Sequence, residues 1–295
     1  MPLNLPVVRG NYSFDFPLKD VSFFGVGGFC DIVFYPKDES DLIFFLKNKP
    51  TDLKINMLGN MSNVLILDGG IRGCVVNLSK YMNKVKFLEE TAAVDAGLSL
   101  SKFIKQCVEK SISSCEKLFC IPGTVGGAVA MNAGIPGFEI SDVVESIGCV
   151  DLNGNKTLLS KDKLNMQYRN GNIPKGFVVT NAALKTSTLP KIELENSIKE
   201  IYTKRIKSQP IGQKTCGSTF KNPPGLKAWE LIKEAGCDKL TIGNAAVSNI
   251  HCNFLVNLGN AKAADFVKLI QTIKDRVFEK TKIMLEEEIV ILGED

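Results

Sequence analysis

The chain is poor in the side chains that carry most acid–base and metal chemistry. It has one histidine, His251, in 295 residues. That count argues against a zinc site built on imidazoles. A Ser-His-Asp hydrolase would have to use His251 as its only base, which argues against that class too. Arginine is nearly as scarce, at Arg9, Arg72, Arg169, Arg205 and Arg276. Lysine therefore carries most of the positive charge, and two-pronged recognition of a carboxylate or phosphate is restricted to five places. The net charge is only +4, too small for a nucleic-acid or membrane-surface footprint. No apolar run approaches the roughly 18 residues that cross a bilayer; the longest, Leu42 to Leu46, has five. The N-terminal stretch lacks a charged start followed by an apolar run, so no signal peptide is expected. The nine cysteines are scattered and contain no C-x-x-C pair, the usage of a reducing compartment. A soluble, cytoplasmic protein is the expectation.

What is present is ordinary globular material. Hydrophobic residues make up 44% and charged residues 23%, enough apolar content for large cores without disulfides. The length suggests two domains. Short β-branched runs alternate with helical patterns, which predicts a mixed α/β or α+β fold. Strands are expected at 31–36, 55–58, 64–67, 74–78, 143–150, 157–159, 177–184 and 284–292. Helices are expected after Asp38, through Leu100, Phe103, Ile104, Cys107 and Val108, and over 194–207 and 261–280. The 194–207 helix carries Ile198, Ile201, Tyr202 and Ile206 on one stripe, and Asn260 is the expected cap of the last helix. The division between domains is expected near 186–198.

Four glycine-rich loops stand out: 25–28, 59–63, 68–70 and 122–128. Glycine lets bare backbone N–H groups approach a ligand, and successive N–H groups can cradle an anion. Any one such loop is also simply a turn. The two familiar phosphate motifs are absent: no G-x-G-x-x-G is completed and nothing ends in Gly-Lys-Ser/Thr. A Rossmann nicotinamide domain and a P-loop NTPase are therefore not supported.

The second half holds four candidate stretches. Gln167-Tyr168-Arg169-Asn170 presents an arginine that is either functional or a surface ion pair. Cys216-Gly-Ser-Thr-Phe-Lys-Asn-Pro-Pro224 is a rigid polar loop carrying a hydroxyl and an amine. The amide-rich run 243–257 contains His251, read as a hydrogen-bonded structural imidazole rather than a base. Glu286, Glu287 and Glu288 lie close to the C-terminal end, with Glu286 and Glu288 on one face of the expected strand.

Taken together, these residues resemble the UDP-N-acetylenolpyruvoylglucosamine reductase family, the MurB enzymes. The resemblance runs from about Val21 to Gly293. It rests on Gly59-Asn-x-Ser-Asn63, Ile121-Pro-Gly-Thr-Val-Gly-Gly-Ala-Val-Ala-Met-Asn-Ala-Gly134, Tyr168-Arg169 and Gly217-Ser-x-Phe-Lys-Asn-Pro223, followed in order by Ile250 to Asn257 and Leu285-Glu-x-Glu-Ile289. The short path from Arg169 to Ser218 is similar to the type II subclass, which lacks an extra tyrosine-bearing loop.

The resemblance implies an α+β fold. An FAD-binding domain of the vanillyl-alcohol-oxidase (PCMH) type, made of two subdomains, would span 1–190, and a substrate-binding C-terminal domain 191–295. It implies non-covalent FAD, with the pyrophosphate on two loops: Gly59, Asn60, Ser62 and Asn63, then Pro122, Gly123, Thr124, Gly126, Gly127 and Ala128. NADPH would supply hydride. The product would be UDP-N-acetylmuramate, a peptidoglycan precursor, from the enolpyruvyl ether of a UDP-sugar. Arg169 and Glu288 would stabilise charge on the substrate carboxylate, and Ser218 would protonate C2. Lys221 and Asn222 are the implied substrate contacts. No metal, nucleic acid or membrane partner is implied, and a monomer is expected. A related flavin oxidase of sugar alcohols and a non-catalytic nucleotide-sugar binder are the rivals; the 217–223 motif opposes the first, and Arg169, Ser218 and Glu288 together oppose the second.

Four positions depart from the family's pattern. Met61 and Gly25 stand where relatives commonly have glycine and Arg or Lys, respectively. Gly171 stands where Ser or Cys is common, and Glu287 where Pro or Trp is usual. Flavin affinity is the property these departures would touch first.

Overall fold

The computed structural model describes residues 4–295, and the fold is α+β. The chain packs as two compact units that interleave along the sequence. The first takes residues up to Phe14, then Ile32–Asn60 and Gly73–Thr203; the second takes Asp15–Asp31, Met61–Arg72 and Lys204–Asp295. Packing gives the second unit two short N-terminal segments and starts its C-terminal part at Lys204.

The first unit centres on an antiparallel sheet in the order Lys156–Ser160, Val144–Asp151, Phe177–Lys185, Thr91–Asp95, Val85–Phe87. Its first hairpin turns through Asn153-Gly154, where Gly154 takes φ +81° and Asp151 Oδ1 accepts from the N–H groups of Asn153 and Asn155. The helix Leu100–Glu109 buries the five apolar residues that its periodicity predicts. The helix Glu39–Asn48 begins where Asp38 caps it, its carboxylate accepting from Asp41 N at 2.9 Å. A second sheet pairs Ile55–Met57 in parallel with Ile71–Val76. One continuous core, with Phe34, Phe45 and Phe103 fully buried, runs through this unit.

The second unit is built around the helix Ala263–Thr281. Phe266, Leu269, Ile270, Ile273 and Val277 form its buried stripe, and Phe266 packs on Phe24 with ring centroids 4.3 Å apart. A small antiparallel sheet (Thr241–Ile242, Ala245–Val247, Leu255–Asn257) and a parallel pair (Val64–Ile66 with Val290–Leu292) complete it.

Three expectations need correction. Asn260 does not cap the last helix; it sits in a left-handed turn at φ +57°, and the helix starts three residues later. Two carboxylates serve that start: Asp68 takes the N–H groups of Ala263 and Ala264 at 2.9 and 3.0 Å, and Asp265 takes that of Lys262 at 3.0 Å. The strand expected over 284–292 is confined to Val290–Leu292, because Glu286 and Glu287 leave strand pairing for a single bridge and local bonds to the 219–221 segment. The helix expected over 194–207 runs from Lys191 to Ser208, but Leu194 is its one buried residue, and Tyr202 and Ile206 are nearly half exposed.

Candidate active site

Two of the glycine loops meet in the first unit. Thr124 caps the short helix Val125–Ala130, its hydroxyl accepting from Gly127 N at 3.2 Å. Gly59 lies against that same hydroxyl: a Cβ at Gly59 would come 2.7 Å from Thr124 Oγ1. Between them is a cavity of about 180 Å³ lined by Gly59, Ser79, Gly97, Thr124, Gly126 and Gly127, among others. Cβ atoms would not fit on two of its walls. One at Gly97 would meet Leu78 O at 2.3 Å, and one at Gly126 would meet Ala96 Cβ at 2.7 Å. A larger groove of about 520 Å³, lined by Val108, Phe119 and Tyr202 among others, holds none of the glycine loops or candidate catalytic residues.

The amides divide into two sets. Val125 N, Gly126 N, Gly127 N and Ala128 N already donate to Leu98 O, Ala96 O, Thr124 Oγ1 and Thr124 O. Gly126 therefore serves the site by its missing side chain rather than by its N–H. Among the described residues, no protein acceptor takes the N–H of Gly59, Asn60, Gly123 or Thr124, so these remain for an anionic ligand. A backbone-walled cleft with unspent donors at both loops fits the pyrophosphate-bearing part of FAD. Pro122 is exposed at the edge of the second loop.

Arg169 also belongs to the first unit. It adopts φ +55°, a conformation that non-glycine residues rarely hold without cause. Its guanidinium donates to Gly134 O at 3.0 Å and lies over the Tyr168 ring at 4.8 Å. Gly171 explains one departure from the family's pattern. Its N–H donates to Ala130 O at 2.9 Å, and a Cβ there would come within 2.1 Å of Val129 O, so Ser or Cys has no room.

The second unit gathers Ser218, Glu288 and Asn63. Thr219 O accepts from Glu288 N at 2.8 Å, which sets Ser218 and Glu288 on adjoining backbone. Asn63 Nδ2 donates to Glu288 O at 3.0 Å, bringing a residue of the first glycine loop to the same place. Ser62 lies beside Asn63 and is half-buried. Asn253 fixes the serine loop, and sequence reasoning had assigned it no role. Its Oδ1 accepts from Phe220 N, its Nδ2 donates to Phe220 O, and its own carbonyl accepts from Thr219 N at 2.7 Å. Its signals in the sequence are the amide-rich run around His251 and the Ile250–Asn257 motif that contains it. The His251 ring stands edge-on to Phe254, and its Nδ1 accepts from Asn253 N at 3.2 Å. Burial holds the imidazole pKa below its ordinary value. Lys221 pairs with Glu286, and Asn222 Oδ1 accepts from Ala228 N at 3.0 Å. Both implied substrate contacts thus also hold protein partners.

The remaining departures have local explanations. Met61 takes φ +52° and is buried, which accounts for glycine being common there in relatives. The Lys214 side chain passes 2.9 Å from where a Gly25 Cβ would lie, so a basic side chain at 25 would have to displace one already present. Glu287 pairs with Lys274 at 2.8 Å. The three implied catalytic residues are shared out: Arg169 on the first unit, Ser218 and Glu288 on the second.

A glycine-walled cleft in an α+β unit with no Rossmann turn fits a dinucleotide cofactor, and the match to an FAD-binding family makes the class that of an FAD-binding flavoprotein. Residues 30–158 match the family described as FAD binding domain. Residues 209–292 match that described as UDP-N-acetylenolpyruvoylglucosamine reductase, C-terminal domain. Proteins named UDP-N-acetylenolpyruvoylglucosamine reductase from Orientia tsutsugamushi (strain Ikeda) and Rickettsia typhi are 41% and 38% identical to this chain; the alignments cover 99% and 98% of it, and 97% and 98% of those proteins. The crystal structure of the reductase (MurB) from Thermus caldophilus superposes with a TM-score of 0.84 at 33% identity, covering 97% of this chain and 100% of that one. The chain belongs to the UDP-N-acetylenolpyruvoylglucosamine reductase family.

Proposed function

We propose that the protein reduces the enolpyruvyl ether of UDP-N-acetylglucosamine to UDP-N-acetylmuramate with NADPH, acting as a cytoplasmic monomer in peptidoglycan precursor synthesis. The observation that carries the reading is the Thr219 carbonyl. It joins the Ser218 loop to Glu288 within a chain that matches the family over nearly its whole length.

Bound FAD would supply the hydride chemistry, taking two electrons from NADPH and making them available to the vinyl carbon C3. The residues do the rest. Arg169, always charged, faces the negative charge that builds on the substrate carboxylate when C3 gains hydride. Glu288, in its protonated form, would add a second donor to that charge. Ser218 gives its hydroxyl proton to C2; a serine is a weak acid, but a carbanion is a far stronger base than an alkoxide, so the transfer runs downhill. Net, the double bond gains one hydride and one proton. The cleft at Gly59, Thr124 and Gly126 holds the cofactor through backbone groups, which tolerate no added side chain at Gly97 or Gly126. A single histidine therefore suffices in the chain, because none of these roles needs one.

The visible spectrum of the purified protein tests this. Two flavin bands should bleach on adding NADPH under anaerobic conditions and return on adding the enolpyruvyl UDP-sugar. A colourless preparation that binds no added FAD, or a bleached flavin that the UDP-sugar fails to reoxidise, would overturn the reading.

A further inference from the structure

We propose that Glu139, held by the buried amide of Asn132, is the positioning residue for Arg169. The inference rests on the catalytic reading of Arg169 given above.

An arginine side chain is long and loses much rotamer freedom when fixed in place. Here both its backbone and its head group are tied to one point. The backbone is held by a tight turn in which Gln167 N donates to Asn170 O at 2.8 Å and Asn170 N donates to Gln167 O at 2.9 Å. The head group is held by a two-strand ribbon, Gly134–Ile135 with Phe138–Glu139, in which Glu139 is paired directly opposite Gly134. That register puts two acceptors side by side. Gly134 O takes Arg169 Nη2 at 3.0 Å, and Glu139 Oε1 lies 3.7 Å from Arg169 Nη1.

Asn132 connects the turn to the ribbon. It is fully buried and takes φ +42°. Its Nδ2 donates to Glu139 Oε2 at 2.7 Å and to Gln167 O at 2.9 Å, while its Oδ1 accepts from Ser141 N at 3.2 Å. One side-chain amide thus fixes the carboxylate that faces the guanidinium and the turn from which the guanidinium springs. Gly134 completes the arrangement. A Cβ there would come within 2.7 Å of Glu139 Cγ, so any other residue would push the glutamate aside.

The distances also define what Glu139 does not do. At 3.7 Å it attracts the guanidinium without the 2.7–2.9 Å contact of a made charge-assisted bond. It orients the cation by attraction rather than by a close bond.

Half-reaction kinetics on the FAD-loaded protein test this. E139A should slow reoxidation of the flavin by the enolpyruvyl UDP-sugar by roughly 10–100-fold, the effect of a misplaced catalytic group. Flavin reduction by NADPH and FAD content should stay at wild-type levels. E139Q keeps an oxygen for Asn132 but loses the charge that attracts the guanidinium, and should recover only part of the rate. R169A should be slow by itself, and R169A/E139A should be no slower than R169A, because the two act through one group. A purely structural role for Glu139 would lower FAD content and both half-reactions together, and that result overturns the proposal. So does wild-type reoxidation by E139A beside a slow R169A. If R169A itself reoxidises at the wild-type rate, the catalytic reading of Arg169 is what fails.

Discussion

Ser218 lies one residue before the carbonyl that accepts from Glu288 N, and Asn253 fixes Phe220 through both ends of its side-chain amide. A loop fixed this way holds its hydroxyl in one place, as a positioned proton donor requires. Ser218→Ala should leave NADPH-driven reduction of bound FAD intact. It should slow the substrate half-reaction by roughly 10²–10⁴, the usual contribution of a positioned proton donor. Stopped-flow absorbance at the flavin band measures both, and equal slowing of the two halves would refute the role. Single residues were partly legible in the sequence. Ser218, Arg169 and the glycines of the two loops stood in ordered motifs. Asn132 was visible only as a member of one, and Glu139 not at all, since their partners Gln167 and Arg169 lie about thirty residues further on. Met61 and Arg169 hide their left-handed backbone because neither residue type advertises it.

Elements were read from periodicity and their ends from local caps, and the second source is the weaker. The helix Glu39–Asn48 carries its own cap in Asp38, so sequence located it well. The helix Ala263–Thr281 has a local capping bond to Asp265 but takes the rest of its cap from Asp68, far away along the chain, and no local rule finds the latter. Asp68 accepts from two of the N–H groups that a helix start leaves unsatisfied, and its charge faces the positive end of the helix dipole. Asp68→Ala should cost about 0.5–2 kcal/mol, the range of a lost cap, read as a lower urea midpoint with an unchanged slope. Asp68→Asn keeps the acceptor and should cost less. Equal stability of the wild type and both variants would mean that the cap contributes nothing. The Lys191–Ser208 helix shows the opposite failure: its apolar stripe was legible, yet burial reaches only Leu194, because periodicity reports a face and not what covers it.

At the scale of the molecule, the composition sets a pH window. Burial keeps His251 neutral when folded, while the unfolded chain takes a proton near pH 6.5. Its contribution is therefore full above about pH 6.5 and is lost on acidification. The buried thiols act at the other end. Burial pushes Cys107 and Cys216 up to about 12 and Cys149 to about 11, from an ordinary value near 9. Raised values stabilise the folded state below about pH 9, and that stability is lost as pH climbs toward them. Each thiol that stays protonated when folded removes about 1.4 kcal/mol per pH unit over that range. Urea midpoints under reducing conditions should fall between pH 8 and 10.5 and also, more gently, between pH 7 and 5. A flat profile on the alkaline side would contradict the burial of these thiols. The two-part fold was legible from length and motif order. Its interleaving was not, since residues 15–31 and 61–72 carry no compositional mark of belonging with the C-terminal unit.

The parallel pairing of Val64–Ile66 with Val290–Leu292 fixes an order of events during synthesis. Leu65 and Ile66, fully buried in the finished protein, leave the ribosome long before their partner strand is translated. At roughly 5–20 residues per second, the interval is on the order of ten to forty seconds. Throughout it an apolar strand has an open edge, the template on which nascent chains pair with one another. A ribosome stalled or terminated late in the message would release that edge permanently, making truncated chains clients for chaperones and proteases rather than slow enzymes.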